Sequence, residues 1–186
     1  MDQKLYNVAA KACLDAYDKN TGVGMGTEYS YSLKTVKGRK YQVIAIAGTN
    51  DCLDAIKDIN LLSWKGIKLS AYNAANRIME HVSLSKIYPV LVTGHSMGGA
   101  VAVAIKRLHN VQYCVTFGQA RCLRYCYDRK MSNTVIFTDP DDIVSKLAYL
   151  SFGLPKCERI KAPDDHTLFS LSDHAMENWV NFTGDY

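Results

Sequence analysis

Apolar and polar residues along the first 48 positions change from a helical to a strand period. Residues 3–18 carry apolar or small side chains three or four positions apart, which predicts an amphipathic helix. The polar, glycine-rich stretch NTGVGMG follows and is expected to end that helix. TEYSYSL and KYQVIAIAG are typical of strands, and TVKGR between them predicts a hairpin.

Beyond this hairpin, helical and strand patterns alternate to the C-terminus. CLDAIKDINLL predicts a helix with Leu53, Ile56 and Ile59 on one face, and a further helix is predicted over about 71–81. Strands are predicted at VLVT, QYCVTFG, NTVIFT and ERIKA, with TLFSL as a further candidate, and helices at MGGAVAVAIKRLHN and SDHAMENWVNF. This alternation predicts an α/β protein with a largely parallel sheet, formed by one domain over residues 1–186.

Composition and charge indicate a globular protein and argue against a nucleic-acid-binding function. The chain has 186 residues, 48% of them hydrophobic, which is enough for one well-filled core. Its net charge is +4 and its basic residues are scattered, apart from one group of four that we expect on a solvated face, so we expect no nucleic-acid partner. That group is Arg121, Arg124, Arg129 and Lys130.

Targeting signals and metal motifs are not recognised in the sequence. The N-terminus has no basic segment followed by an apolar stretch, and no run reaches the ~18 apolar residues of a membrane span. We therefore expect a cytoplasmic or otherwise unsecreted protein. The six cysteines lack CxxC or zinc-like spacing, so we expect free, mostly buried thiols and no metal.

The most informative motif is VTGHSMGGA, in which Gly94 to Gly98 read GxSxG. By composition this pattern should occur by chance in roughly 6% of chains of this length, so the five letters alone are weak evidence. Their position between a predicted strand and a predicted helix is stronger, because a sharp turn there would expose Ser96 as a nucleophile. The alternative is a glycine-rich helix start that Ser96 merely caps.

A serine nucleophile needs a base, and the base needs an orienting acid. The loop DPDD follows a predicted strand and offers Asp139, Asp141 and Asp142 at the carboxyl edge of the sheet. His166 and His174 both lie downstream of that loop. The resulting order of serine, acid and histidine is that of the α/β-hydrolases. The other histidines suit the role less, because one adjoins the serine and two lie near helix ends: His95, His81 and His109.

With these motifs in order along the chain, the sequence resembles the class 3 lipases, the α/β-hydrolase family of fungal triacylglycerol lipases and plant phospholipases. GHSMGGAVA is similar to the family's nucleophile motif, and VTFGQAR to its next strand and turn. IAGTNDCLDAIKDINLL resembles the segment in which a strand ends in the oxyanion loop and a lid or lid-flanking helix follows. DDIV resembles the acid motif, and DHAMENWV the C-terminal histidine segment, in which Trp179 follows the histidine.

The resemblance implies an α/β-hydrolase fold and a lipase or esterase acting through an acyl-enzyme. It implies Ser96 as nucleophile, Asp142 as acid and His174 as base, with the oxyanion held by Thr49 and Met97. The implied partner is a small-molecule ester or a lipid, with transient contact to a lipid surface, and the chemistry calls for no cofactor.

This sequence also departs from the family pattern. Ala47 stands where the family has arginine, and Ala120 and Ser145 stand where it has proline. The chain is short for the family, which suggests trimmed loops and a small or altered lid. Residues 51–64 either cover an acyl chain or simply pack on the sheet. A thioesterase or peptidase, and a non-catalytic module that binds lipid or acyl groups, remain as alternative functions, and the sequence does not set the oligomeric state.

Overall fold

The computed structural model describes residues 1–18, 28–48, 63–64, 67–109, 111–123, 130–138 and 154–161, together with 176, 179 and 180. Its helices are α1 (Gln3–Tyr17), α2 (Leu69–His81) and α3 (Ser96–His109). Its strands are β1 (Tyr29–Val36), β2 (Arg39–Ile46), β3 (Ser63–Trp64), β4 (Ile67–Lys68), β5 (Val90–His95), β6 (Tyr113–Phe117), β7 (Lys130–Thr138) and β8 (Lys156–Lys161). Residues 176, 179 and 180 are helical. The helix predicted from CLDAIKDINLL and the strand candidate TLFSL lie outside the described residues.

Six of the strands form one sheet in the order β1-β2-β5-β6-β7-β8. β1 runs antiparallel to β2, and each of the other neighbouring pairs is parallel. The β1–β2 hairpin turns at Lys37 and Gly38, whose φ values of 48° and 78° fit a two-residue turn that follows the twist of the strands. The predicted N-terminal hairpin and largely parallel sheet are therefore confirmed. β3 and β4 pair as a separate two-stranded ribbon.

Alternation along the central strands buries both faces of the sheet. In β2, Val43 and Ala45 belong to the core under α1, whereas Ile44 and Ile46 belong to the core under α2 and α3. Apolar side chains on both faces explain why the central strands read as nearly continuous apolar runs. The described residues thus form three layers, with the sheet in the middle.

Helix α1 lies close to the sheet because its inner face is built from small side chains. Ala9 and Ala16 are fully buried on this face, and the Sγ of Cys13 is 3.0 Å from the Oγ1 of Thr93 on β5. Asp2 caps the N-terminus of this helix, and its carboxylate accepts a hydrogen bond of 3.0 Å from the Lys4 amide. Tyr17, the last residue of α1, lies at the carboxyl end of the sheet, beside Gly48 and His95.

The helical residues near the C-terminus pack at the same end of the sheet. Met176 and Trp179 are buried, and the Trp179 ring lies 6.1 Å from the ring of Phe117, the last residue of β6. Phe117 in turn stacks on Phe137 of β7 at 5.1 Å. Met176 and Trp179 are therefore packed beside the carboxyl ends of β6 and β7.

Four of the six cysteines lie among the described residues, and all four are free. Cys13, Cys114 and Cys122 are buried and Cys157 is partly buried, as the sequence predicted. Burial raises the pKa of both Cys13 and Cys122 to about 12, so these thiols stay protonated near neutral pH. Among the helices of the described ranges, none combines the length and the apolar character needed to cross a membrane.

Candidate active site

Ser96 lies at the junction where β5 ends and α3 begins. Its φ of 54° falls in the left-handed region, which costs a residue other than glycine about 1–2 kcal/mol. The strained strand-turn-helix geometry expected from GxSxG is therefore present. The residue as a whole is only 2% exposed, so the prediction that the turn exposes Ser96 is wrong for this structure.

The glycines on either side of Ser96 are required by close approach of the backbone. A methyl group on Gly94 would collide with the carbonyl of Gly98 and come within 2.8 Å of the Gly99 nitrogen. A methyl group on Gly98 would collide with the carbonyl oxygens of Ile46 and Ala47. The first turn of α3 thus packs closely against the end of β5 on one side and against the end of β2 on the other.

The end of β2 also touches the serine itself, through Gly48. A Cβ atom on Gly48 would lie 2.8 Å from the Cβ of Ser96, 2.7 Å from the hydroxyl of Tyr17 and 3.1 Å from the carbonyl oxygen of His95. A side chain at position 48 would therefore force the β2 end away from Ser96. Thr49, the predicted oxyanion residue, comes next in the chain and lies outside the described residues.

Tyr17 joins this cluster from α1 and was not predicted from the sequence. Its hydroxyl accepts a hydrogen bond of 2.9 Å from the Gly48 amide and lies 2.6 Å from the Nδ1 of His95. His95 is buried and points toward α1, on the same face of β5 as Thr93. The sequence signal for Tyr17 is its helical spacing of four from the sheet-facing Cys13.

The turn after β6 supports the serine from the other side. The amide of Ala120 donates a hydrogen bond of 3.1 Å to the carbonyl oxygen of Ser96. Gln119 is fully buried, and its side-chain oxygen accepts a bond of 2.8 Å from the Thr116 hydroxyl. The class 3 lipases, which the sequence resembles, have proline at position 120. Ala120 supplies an N–H that proline lacks, and this N–H holds the turn at Ser96.

Two of the predicted site residues are described, and the others are not. Met97 follows Ser96 in the first turn of α3, and its half-buried side chain packs against the core under α2 and α3. The remaining predicted residues and their alternatives lie outside the described residues: Thr49, Asp139, Asp141, Asp142, His166 and His174. Their assignment stays a prediction. The possible lid, residues 51–64, also lies outside the described residues, except for the backbone of β3.

Comparison with known structures supports the fold. The Lip2 lipase from Yarrowia lipolytica is 16% identical, with 86% of this chain and 80% of that chain covered and a TM-score of 0.56. A mutant form of MDLA from Penicillium cyclopium is 18% identical, with coverage of 92% and 84% and a TM-score of 0.59. The lipase–propeptide complex from Rhizomucor miehei is 15% identical, with coverage of 98% and 77% and a TM-score of 0.54. At these identities the likeness concerns the fold, which is that of the α/β-hydrolases.

Sequence comparison assigns the family. A search among curated proteins found no significant match. Residues 50–152 match the family Lipase (class 3), a range that contains Ser96 and Asp142 and covers more than half of the chain. The family predicted from the nucleophile motif and its neighbouring segments is confirmed: the chain belongs to the class 3 lipases, ester hydrolases with the α/β-hydrolase fold.

Proposed function

We propose that this lipase hydrolyses carboxylic esters with Ser96 as nucleophile, Asp142 as acid and His174 as base. The observation that carries the proposal is the geometry of Ser96, which sits at a positive φ between β5 and α3 with Gly48 against its Cβ. A helix that merely needed a serine cap would not require a strained φ, because a capping residue adopts extended backbone.

The acid is within reach of Ser96 by chain connectivity. β5, β6 and β7 are adjacent and parallel, so their carboxyl ends share one edge of the sheet. The ends of β5 and β7 are separated by two strand spacings, or about 10 Å. Asp142 follows Thr138, the last residue of β7, by four positions, which span up to about 14 Å. Asp139 and Asp141 follow the same strand, so mutagenesis must separate the three.

The base is supported by the anchoring of the C-terminal segment. His174 precedes the buried Met176 by two positions, and Trp179 contacts Phe117. Phe117 is the register partner of His95, the residue before Ser96. The closeness of His174 in the chain to this anchor supports its assignment as the base, whereas His166 is ten residues from Met176.

The reaction follows from these roles. His174 accepts the proton of the Ser96 hydroxyl as Oγ attacks the ester carbonyl carbon, and Asp142 stabilises the imidazolium. The amides of Met97 and Thr49 hold the oxyanion, each worth about 3–4 kcal/mol of barrier, and the N-terminus of α3 favours the negative charge. His174 gives its proton to the departing alcohol, which leaves an acyl-enzyme. Water, deprotonated by His174, then releases the carboxylic acid and restores Ser96.

The substrate class is an acyl ester, either a lipid or a short-chain ester. The family match and the lipases among the structural neighbours support this class. The segment 51–64 begins two residues after Thr49 and is rich in leucine and isoleucine, which suits contact with an acyl chain or a lipid surface.

Hydrolysis of p-nitrophenyl esters of two to sixteen carbons tests the proposal. Ser96→Ala, His174→Ala and Asp142→Asn should each lower kcat by about 10⁴-fold or more, because triad members act as a unit. The matched controls His166→Ala, Asp139→Asn and Asp141→Asn should each stay within about threefold of wild type. Full activity in Ser96→Ala would overturn the mechanism, and loss of activity in a control would reassign that role. Thioester and peptide substrates, run beside the esters, decide against the alternative hydrolases.

A further inference from the structure

The hydroxyl of Tyr17 joins the ends of three elements that come from distant parts of the chain. Tyr17 is the last residue of α1. Its hydroxyl accepts a hydrogen bond from the Gly48 amide, just after β2, and lies 2.6 Å from the Nδ1 of His95 at the end of β5. Its partners are 31 and 78 residues away along the sequence. No motif of the class 3 resemblance includes it, and the proposed triad chemistry does not use it.

The hydrogen bond to Tyr17 fixes the direction in which the Gly48 amide points. At 2.9 Å from the Tyr17 hydroxyl, this N–H is engaged on the side of α1. The position of a Cβ on Gly48 shows that this residue also packs directly on the Cβ of Ser96. Tyr17 therefore holds Gly48, which packs on the nucleophile and directly precedes Thr49, the proposed oxyanion donor, in the sequence.

We propose that Tyr17 is a positioning residue, whose hydroxyl holds Gly48 and thereby places the Thr49 amide relative to Ser96. This inference rests on the proposed function, because it assigns the oxyanion role to the amide that follows Gly48. It gives the phenol a task that no hydrophobic residue can perform, and the contact of the same hydroxyl with His95 helps to hold the phenol in place.

The expected effect is on the transition state and not on substrate binding. Removing one oxyanion donor costs about 10²–10³-fold in kcat, and a displacement of about 1 Å can cost about 10²-fold. Loss of the Tyr17 hydroxyl does not remove the Thr49 amide, but it removes the hydrogen bond that holds Gly48. We therefore expect kcat to fall by about 10–100-fold while KM stays within about twofold, since the oxyanion forms only after the ester has bound.

The variant Tyr17→Phe removes the hydroxyl and keeps the ring. Tyr6→Phe is the matched control, because Tyr6 is another tyrosine of α1, about three helical turns from Tyr17, and its buried ring packs on Phe137 at 5.2 Å. Both variants are assayed on p-nitrophenyl butyrate, and kcat is divided by the number of sites titrated with a fluorophosphonate. This normalisation removes any loss that comes only from a smaller folded fraction. Tyr6→Phe should keep kcat within about twofold.

Amide exchange of Gly48, measured by nuclear magnetic resonance, gives a readout that does not depend on activity. In the wild-type protein this amide should be protected, and Tyr17→Phe should speed its exchange by about tenfold or more while Tyr6→Phe leaves it unchanged. Rapid exchange of Gly48 in the wild type would overturn the inference without any variant.

A wild-type kcat in Tyr17→Phe would also overturn the inference, and it would leave the proposed function intact as long as Ser96→Ala remained inactive. Ester hydrolysis that does not depend on Ser96 would instead overturn the proposed function, and with it any positioning role for Tyr17. The effect of Ser96→Ala thus separates the two failures.

Discussion

Gly98→Ala probes the contact between the nucleophile turn and the end of β2. The added methyl group would point at the carbonyl groups of Ile46 and Ala47, which are backbone atoms and cannot rotate away. Relief requires that α3 and the β2 end move apart. The residues that would move with β2 are Gly48, which packs on Ser96, and Thr49, the proposed oxyanion donor.

The structure sets the size of this effect. The methyl carbon would stand 2.8 Å from the carbonyl carbon of Ala47, and ordinary contact begins at 3.4 Å, so the two elements must separate by at least about 0.6 Å. Overpacking of this kind costs about 1–3 kcal/mol, or roughly 2–12 °C in Tm for a chain of this size. If about 1 Å of misplacement costs about 10²-fold in rate, kcat should fall by about tenfold or more.

Differential scanning calorimetry and steady-state hydrolysis of p-nitrophenyl butyrate measure the two effects. The control is Gly99→Ala, one residue further along α3, where the new methyl group would lie 3.1 Å from side-chain atoms of Gln119 and 3.2 Å from the Gly94 carbonyl oxygen. These contacts are tight but need shifts of only a few tenths of an ångström, so Gly99→Ala should lose less activity and less stability. Equal Tm and kcat in the two variants would refute the close packing of α3 on β2.

Three further predictions concern strain, anchoring and pH. Ser96→Gly should melt about 2–4 °C above Ser96→Ala, because glycine relieves roughly 1 kcal/mol of strain at a φ of 54°; a lower Tm would contradict that strain. Trp179→Ala should cost about 3–5 kcal/mol in urea unfolding and reduce esterase activity, and a cost below about 1 kcal/mol would show that the contact with Phe117 is no anchor. The Lys37 ammonium at 2.6 Å, and then the Lys4 amide, lower the pKa of Asp2, so its carboxylate contributes stability above pH ~4 that is lost as pH falls further. Asp2→Asn keeps a capping oxygen but removes the charge. Wild type should therefore have a higher Tm than Asp2→Asn at pH 6, and this difference should shrink toward pH 3. A difference that does not change with pH would contradict the charge effect.

The features that were predictable from the sequence are local ones. The β1–β2 hairpin was predictable because Lys37 and Gly38 form a two-residue turn between two alternating strands. The turn at Ser96 was predictable because the apolar period changes there and glycines flank the serine. Both signals fit within about ten residues, so propensity and pattern were sufficient.

The features that the sequence did not reveal depend on contacts between distant residues. Tyr17 carries no motif, and its role follows only from the meeting of three element ends. The hydrogen bond from Ala120 to the carbonyl of Ser96 likewise forms across the ends of two strands, and sequence comparison indicated only a missing proline. Asp142 and its neighbours have the same chemistry and the same reach, so sequence pattern alone cannot rank them, and Asp142 stays a prediction.

Labelling with a fluorophosphonate, followed by mass spectrometric mapping of the modified residue, tests most directly whether Ser96 is the nucleophile. If Ser96 is the nucleophile, the map should show one adduct per chain, located on Ser96, and no adduct in Ser96→Ala. A folded protein that stays unlabelled, or that carries the adduct on another residue, would contradict this assignment.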